Sequence, residues 1–132
     1  MKAVLVQPPV LWTTTPPLGL AYLAGELLAA GDEVEILDAN IELHSRDREA
    51  YGRLASLARE YGQESPLRRL FPAALAARLA ECRPSAWKDL ERHAEGWALR
   101  VLSAAPDLVG VSLHAESLLA GLALARASRR LA

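Results

Sequence analysis

The sequence of 132 residues has one cysteine and almost no excess of charge. Cys82 can form no disulfide within the chain, and alone it cannot hold a zinc ion or an iron–sulfur cluster. A single thiol therefore predicts a reducing, cytoplasmic setting. The formal net charge is -1, so the composition gives no electrostatic reason to expect nucleic acid as a partner.

Long apolar runs are also missing. No run approaches the roughly 20 residues that a membrane-spanning helix requires. The chain begins directly with a strand-like stretch rather than the basic region and apolar core of a secretory signal, so we expect neither membrane insertion nor export. Hydrophobic residues nevertheless make up 52% of the chain, which excludes a disordered chain and predicts one packed domain or part of one.

The first 40 residues predict a strand, a helix and a second strand. Residues 2–7 form a short apolar run that ends at two prolines, which is typical of a buried strand. Leucine and alanine recur at helical spacing over 20–28, and Gly31 follows where a C-terminal cap belongs. Residues 33–37 alternate polar and apolar side chains, which predicts a strand parallel to the first after a right-handed crossover.

The end of the chain predicts one more strand and helix. The strand is expected over 107–113 and the helix over 116–131. The predicted apolar side of that helix carries Leu118, Leu119, Leu122 and Ala125. About 65 residues lie between the second and third strands, although a crossover needs only about a dozen. We therefore expect an α/β, Rossmann-like parallel sheet, incomplete at three strands, with a helical insert over about 41–105.

Three stretches of the insert have helical patterns. Ser65-Pro66 is a start signal for a helix that would carry Leu67, Leu70, Phe71, Ala74, Leu75 and Leu79. Ser85 is expected to cap a second helix with one face made of Trp87, Leu90, Ala94, Trp97 and Val101. These two tryptophans are more typical of a core or an interface than of a stacking platform. A looser segment over 45–61 carries Tyr51, Leu54, Ala58 and Tyr61.

Polar residues that can carry chemistry occur in three loops that follow the strands. Open parallel sheets bind ligands outside the carboxyl ends of their strands, so loops 8–19, 38–41 and 112–117 are the candidates. The first loop lacks the Gly-rich spacing of a phosphate site and has no Lys beside a Ser or Thr. Its prolines make it stiff and apolar. It either forms the wall for a large, flat ligand or simply packs over the sheet edge.

The other two loops also allow two interpretations each. Asp38 could bind a ribose hydroxyl, or it could cap the segment that follows, which is the commoner role. His114, close to Ser112 and Glu116, could act as a general base or metal ligand, or its imidazole could satisfy backbone groups of the loop. No second histidine stands at helical ligand spacing, so we assign neither a metal site nor a catalytic residue. Cys82 is interpreted as a structural or incidental thiol.

Four segments carry a family resemblance. They are Lys2-Ala-Val-Leu-Val-Gln-Pro-Pro9, Thr15-Pro-Pro-Leu-Gly-Leu-Ala-Tyr-Leu-Ala24, Glu33-Val-Glu-Ile-Leu-Asp-Ala-Asn40 and Asp107-Leu-Val-Gly-Val-Ser-Leu113. Together they resemble the N-terminal cobalamin-binding domain of cobalamin-dependent radical S-adenosylmethionine enzymes. The resemblance covers residues 1–40 and 106–132 and does not account for the insert.

The resemblance implies a domain that binds cobalamin at the carboxyl edge of its sheet. Many cobalamin domains carry Asp-x-His-x-x-Gly in the first loop, with the histidine ligating cobalt. Alignment on Gly19 places Thr14 and Pro16 at the Asp and His positions, and proline cannot ligate a metal. This agrees with the radical-enzyme branch, in which cobalamin is bound with its base displaced and without that histidine.

The cofactor-binding residues that the resemblance implies fall into three groups. The lower face of the cofactor would lie on Pro16, Pro17, Leu18 and Gly19. The nucleotide tail would run along Ser112, Leu113 and His114, with Asp38 at the end of the second strand.

The rest of such an enzyme would lie outside these 132 residues. The radical enzymes hold a 4Fe-4S cluster with Cys-x-x-x-Cys-x-x-Cys, which one cysteine cannot form, and their fourth strand, ending in Gly-Gly, is missing here. The resemblance implies a downstream domain of the same polypeptide that holds the cluster and S-adenosylmethionine. That domain would most often methylate a small-molecule or peptide substrate.

Two other functions stay open from the residues. One is a non-catalytic Rossmann-like module that binds a ligand or docks a partner through its insert. The other is a nucleotide-dependent enzyme that uses Asp38, which the missing Gly-rich loop disfavours.

Overall fold

The computed structural model describes residues 1–63, 70 and 72–132, and these form an open α/β fold. The strands are β1 (Lys2–Gln7), β2 (Glu33–Asp38) and β3 (Leu108–Val111). The helices within the described residues are α1 (Leu18–Ala29), α2 (Ala39–Arg46), α3 (Arg48–Gln63), α4 (Pro72–Cys82), α5 (Pro84–Ser103) and α6 (Leu118–Leu131). In these parts of the chain no helix is both long enough and apolar enough to cross a membrane.

The sheet has β1 at its centre. The strand order is β2-β1-β3, and both pairs are parallel. Leu5 of β1 lies opposite Ile36 on one side and Gly110 on the other. The predicted Rossmann-like parallel sheet of three strands is therefore confirmed for the described residues. The third strand is shorter than the predicted 107–113, although the Ser112 N–H still donates to the Val6 carbonyl at 2.9 Å.

The two faces of the sheet are covered unequally. Val4 and Val6 face a large apolar cluster that draws side chains from α2 to α6. Leu5 belongs to a small cluster on the other face, where Leu20 and Ala24 of α1 are its buried partners. Each fully buried Leu or Val contributes about 1.5–3 kcal/mol to folding. The insert is therefore not an appendage, because it supplies most of the side chains that bury the sheet.

Helix α1 packs against β1 and β2 with only part of its predicted apolar stripe. Leu20 and Ala24 are buried, whereas Leu23 and Leu28 are more than half exposed. The helix ends as predicted. Gly31 follows the C-cap with a φ of +88°, and its N–H donates to the Leu28 carbonyl at 3.0 Å. This positive φ favours glycine over any residue that has a Cβ.

In the insert, the predicted buried faces of the helices agree with the structure better than the predicted helix ends do. Segment 45–61 lies in α2 and α3, where Leu54, Ala58 and Tyr61 are buried. The predicted face of α5 is confirmed by four buried residues: Leu90, Ala94, Trp97 and Val101. The predicted cap at Ser85 is wrong, because Arg83 is the N-cap and Pro84 opens the helix. Proline suits that position, since its missing N–H has no partner there in any helix.

Two predicted apolar faces differ from the structure or lie partly outside it. The Ser65-Pro66 start falls outside the described residues, as do Leu67 and Phe71; further along, Leu75 and Leu79 are buried as predicted, but Leu70 and Ala74 are exposed. Helix α6 packs mainly on α5. Its buried residues are Leu119, Ala120, Gly121, Leu124 and Ala127. The predicted Leu122 and Ala125 are exposed, so the buried face is rotated from the predicted one.

Ion pairs join the helices of the insert to one another. The Arg53 guanidinium donates to Asp89 at 2.6 Å, linking α3 to α5. Arg83 holds both oxygens of Glu60, at 2.6 Å for the shortest bond. Exposed pairs contribute about 0.2–1 kcal/mol each, and these two pairs are partly to mostly exposed, so their contribution to stability is small.

Candidate functional site

The carboxyl edge of the sheet brings together the starts of the three candidate loops. In the strand register Gln7 lies beside Asp38, and Val6 lies beside Val111. The first and third loops also meet at Gly121 of α6. A Cβ there would lie 2.2 Å from a methyl group of Leu113 and 3.5 Å from the Pro8 ring. The missing side chain of Gly121 therefore lets Leu113 and Pro8 close over the start of α6.

The first loop presents apolar side chains to solvent. Leu18 is 69% exposed and Trp12 is 77% exposed. Pro16 and Gly19 are exposed as well, and Pro17 is half-buried. The backbone turns tightly into α1, since the Leu18 N–H donates to the Pro16 carbonyl at 2.8 Å. Pro8 and Pro9 are buried, so the first part of the loop packs over the sheet edge, while its second part is open to solvent and its role as a wall for a ligand stays a prediction.

A buried amide and a phenol join this loop to helices α2 and α3. The Asn40 side chain is 2% exposed and pairs with the backbone of Leu11, accepting from its N–H at 2.9 Å and donating to its carbonyl at 3.3 Å. The Tyr51 hydroxyl donates to the same carbonyl at 2.8 Å. Burial raises the pKa of the Tyr51 phenol above its ordinary value. The sequence analysis missed this network; a polar residue next to the Asp38 strand end was its only signal.

The second loop shows the capping role of Asp38. Its Oδ1 accepts from the Ile41 N–H at 3.0 Å, which caps the N-terminus of α2. Helix α2 begins at Ala39, directly after β2, so the second loop is replaced by a helix turn. The capping alternative is confirmed, and a role for the carboxylate in binding stays a prediction.

In the third loop a serine, and not the histidine, satisfies the backbone. The His114 N–H donates to the Ser117 hydroxyl at 3.0 Å, and Ser117 is the buried N-cap of α6. Leu113 and His114 are exposed, and Ser112 is half-buried. Their side chains therefore border the solvent at the edge where the first loop begins. Within the described residues no cluster of three or more His, Cys, Asp or Glu side chains is arranged to hold a metal.

Gln7 is a further polar residue of this edge that the sequence analysis did not single out. It is 1% exposed, and its amide donates to the Pro8 carbonyl at 3.1 Å. Its Oε1 is buried and has no hydrogen-bond partner among the described residues. A buried acceptor without a hydrogen bond costs about 1–3 kcal/mol. Most buried acceptors in native proteins therefore have a donor.

No protein-family model, curated protein or solved structure matches this chain. The resemblance of its two ends to cobalamin-binding domains therefore stays a prediction. What bears on it is the geometry above: a stiff, apolar, pinned first loop that lies beside the third loop at the carboxyl edge.

Proposed function

We propose that this chain is the N-terminal part of the cobalamin-binding domain of a radical S-adenosylmethionine enzyme, most simply a methyltransferase. The observation that carries the proposal is the exposed apolar surface of the first loop, with Leu18 and Trp12 both more than two-thirds exposed. It stands at the edge where open parallel sheets bind ligands. Large apolar side chains left in solvent at such an edge are typical of a binding surface.

The residues at this edge fit cobalamin held without a protein ligand to cobalt. Pro16 occupies the position of a histidine ligand and has no lone pair to offer, so only the apolar contacts of Pro16 to Gly19 remain for the lower face. Asn40 and Tyr51 keep the loop in place through Leu11.

The protein's part in this function is to bind and orient. When bound, cobalamin supplies the methyl-transfer chemistry, and the chain provides the binding site. Ser112 and His114 offer polar groups for the nucleotide tail. Asp38 has one oxygen in the α2 cap, and its other oxygen forms no hydrogen bond with the described residues.

The free edge of β3 supports a continuation of the polypeptide. None of the described residues pairs with that edge, and Leu108 and Val109 are 44% and 39% exposed although their side chains point to opposite faces. Unpaired strand edges readily add another strand. We expect the downstream chain to pair there and to carry the cluster, S-adenosylmethionine and the small-molecule or peptide substrate, in the cytoplasm.

Cobalamin retention by the whole gene product tests the proposal. We expect the protein to keep cobalamin through gel filtration, seen in its visible spectrum. Leu18→Arg should lower the affinity roughly tenfold or more, equivalent to about 1.4 kcal/mol, because it places a charge in the apolar wall. Leu28→Arg is the matched control, since Leu28 is also an exposed leucine of α1 but stands at its other end.

Two results would refute the proposal. One is a colourless protein after reconstitution with cobalamin. The other is equal retention by Leu18→Arg and Leu28→Arg, which would remove the first loop from the site.

A non-catalytic module that docks a partner is the second candidate. The free β3 edge favours it equally, because a strand from another protein would cover Leu108 and Val109 as well as a strand of the same chain. The codons beyond residue 132 distinguish the two. A three-cysteine motif downstream favours the enzyme, and a stop codon favours the module.

A further inference from the structure

A cavity of about 520 Å³ lies between α3, α4, α5 and α6, and the cofactor-binding residues predicted above are not among its lining residues. Its walls include the buried Leu90 and Ala94 of α5 and Leu119 of α6. Leu122, which is 48% exposed, stands at its open side. Pockets of this volume with mainly apolar walls are typical of small-molecule sites.

Among the described residues that line the cavity, one arginine has no hydrogen-bond or ion-pair partner. Arg126 and Arg130 lie one turn apart on α6 and both line the cavity. Arg130 is paired with Glu95 at 2.8 Å, and the Glu91 carboxylate accepts from the Trp87 indole at 3.1 Å. Arg126 is exposed and forms no hydrogen bond or ion pair with the described residues. The cavity thus has an apolar interior and, at Arg126, a guanidinium that forms no ion pair with the described residues.

We infer that this cavity binds a single-chain amphiphilic carboxylate, such as a fatty acid, with its alkyl chain among Leu90, Leu119 and Leu122 and its carboxylate on Arg126. An apolar cavity holds water poorly and is filled favourably by an apolar chain. Guanidinium binds carboxylate through two parallel hydrogen bonds, which orients the chain inward. The inference is independent of cobalamin binding, because it uses other residues.

Calorimetric titration with decanoate and with decanol, both as monomers, tests the charge and the apolar part separately. The titrated protein is the whole gene product that contains residues 1–132. We expect decanoate to bind about two- to fivefold more tightly than decanol, a ratio within the range that one partly exposed ion pair supplies. Arg126→Gln should remove this difference by weakening decanoate alone. Arg129→Gln, which changes an exposed arginine outside this lining, should keep it.

Filling the cavity gives a second readout. Ala123 lines it and is half-buried, so Ala123→Phe should abolish binding of both probes. Ala76→Phe fills the same space from α4 if the first variant unfolds. In the unaltered chain, decanoate at 100 times its Kd should raise Tm by roughly 5–10 °C. The inference is overturned if neither probe binds, if both bind equally, or if Arg126→Gln and Arg129→Gln behave alike.

Discussion

Two substitutions remove the hydrogen bonds that hold the first loop at Leu11, and they remove different numbers of bonds. In Tyr51→Phe both polar groups of Leu11 keep a partner. Asn40 still accepts from the Leu11 N–H at 2.9 Å and still donates to its carbonyl at 3.3 Å. The variant loses the 2.8 Å bond of the phenol and leaves no orphan, so we expect the free energy of unfolding to fall by about 1 kcal/mol.

Asn40→Ala is the heavier perturbation. It removes both bonds of the side-chain amide to Leu11, and the Leu11 N–H then lacks an acceptor in a partly buried position. The Leu11 carbonyl keeps the Tyr51 hydroxyl. Adding the cost of an unsatisfied donor to the lost bonds gives a destabilisation of about 2–4 kcal/mol.

Urea unfolding followed by circular dichroism measures these values, and hydrogen exchange over residues 8–17 shows whether the effect is local. Tyr22→Phe is the matched control, because Tyr22 is 74% exposed and forms no hydrogen bond with the described residues. It should change stability by less than about 0.5 kcal/mol. The reasoning is refuted if Tyr51→Phe equals Tyr22→Phe, or if Asn40→Ala costs no more than Tyr51→Phe.

Backbone and protonation give the remaining predictions. Ala105 has a φ of 48°, so Ala105→Gly should raise the free energy of unfolding by about 0.5–1 kcal/mol, while Gly31→Ala, at a φ of +88°, should lower it by about 1 kcal/mol in the same thermal melts. The role of φ would be contradicted if Ala105→Gly lowered the free energy of unfolding or if Gly31→Ala raised it. Burial and the neighbouring Arg92 hold the pKa of His93 below its ordinary value of 6.5. The unfolded chain therefore binds the proton first, stability falls as the pH drops through about 6.5, and His93→Gln should flatten the stability curve between pH 5 and 7. Equal slopes for the two proteins would exclude His93 as the cause.

The strands could be predicted because each is a short segment, either apolar or alternating between polar and apolar residues, that turn residues bound, and that signal is local. The buried face of α6 could not be predicted. Its sequence is rich in Ala and Leu on every side, and packing on α5 selects Ala120 and Leu124 over Leu122 and Ala125. The apolar composition of α6 therefore predicts that one side of the helix is buried, but packing on α5 determines which side it is.

The candidate site shows the same limit. Its location could be predicted, since parallel strands end at a common edge, and the Asp38 cap followed from local chemistry. The bond between Tyr51 and Leu11 joins residues 40 positions apart, and that between Asn40 and Leu11 spans 29. Contacts at such separations depend on how the elements pack, which no local pattern carries.

The central position of β1 has a consequence for how the chain is made. Leu5 leaves the ribosome early, yet its neighbour Gly110 is synthesised about 5–20 s later at ordinary rates of translation. Until then β1 has β2 as a partner but lacks β3, and the α6 side chains that complete its apolar cluster are also not yet made. The helices of the insert form through local contacts, whereas the β1–β3 pair must close a loop of about 100 residues, the slow kind of step in folding. We expect the nascent protein to depend on chaperones in this interval, with residues 2–7 as the segment that they shield.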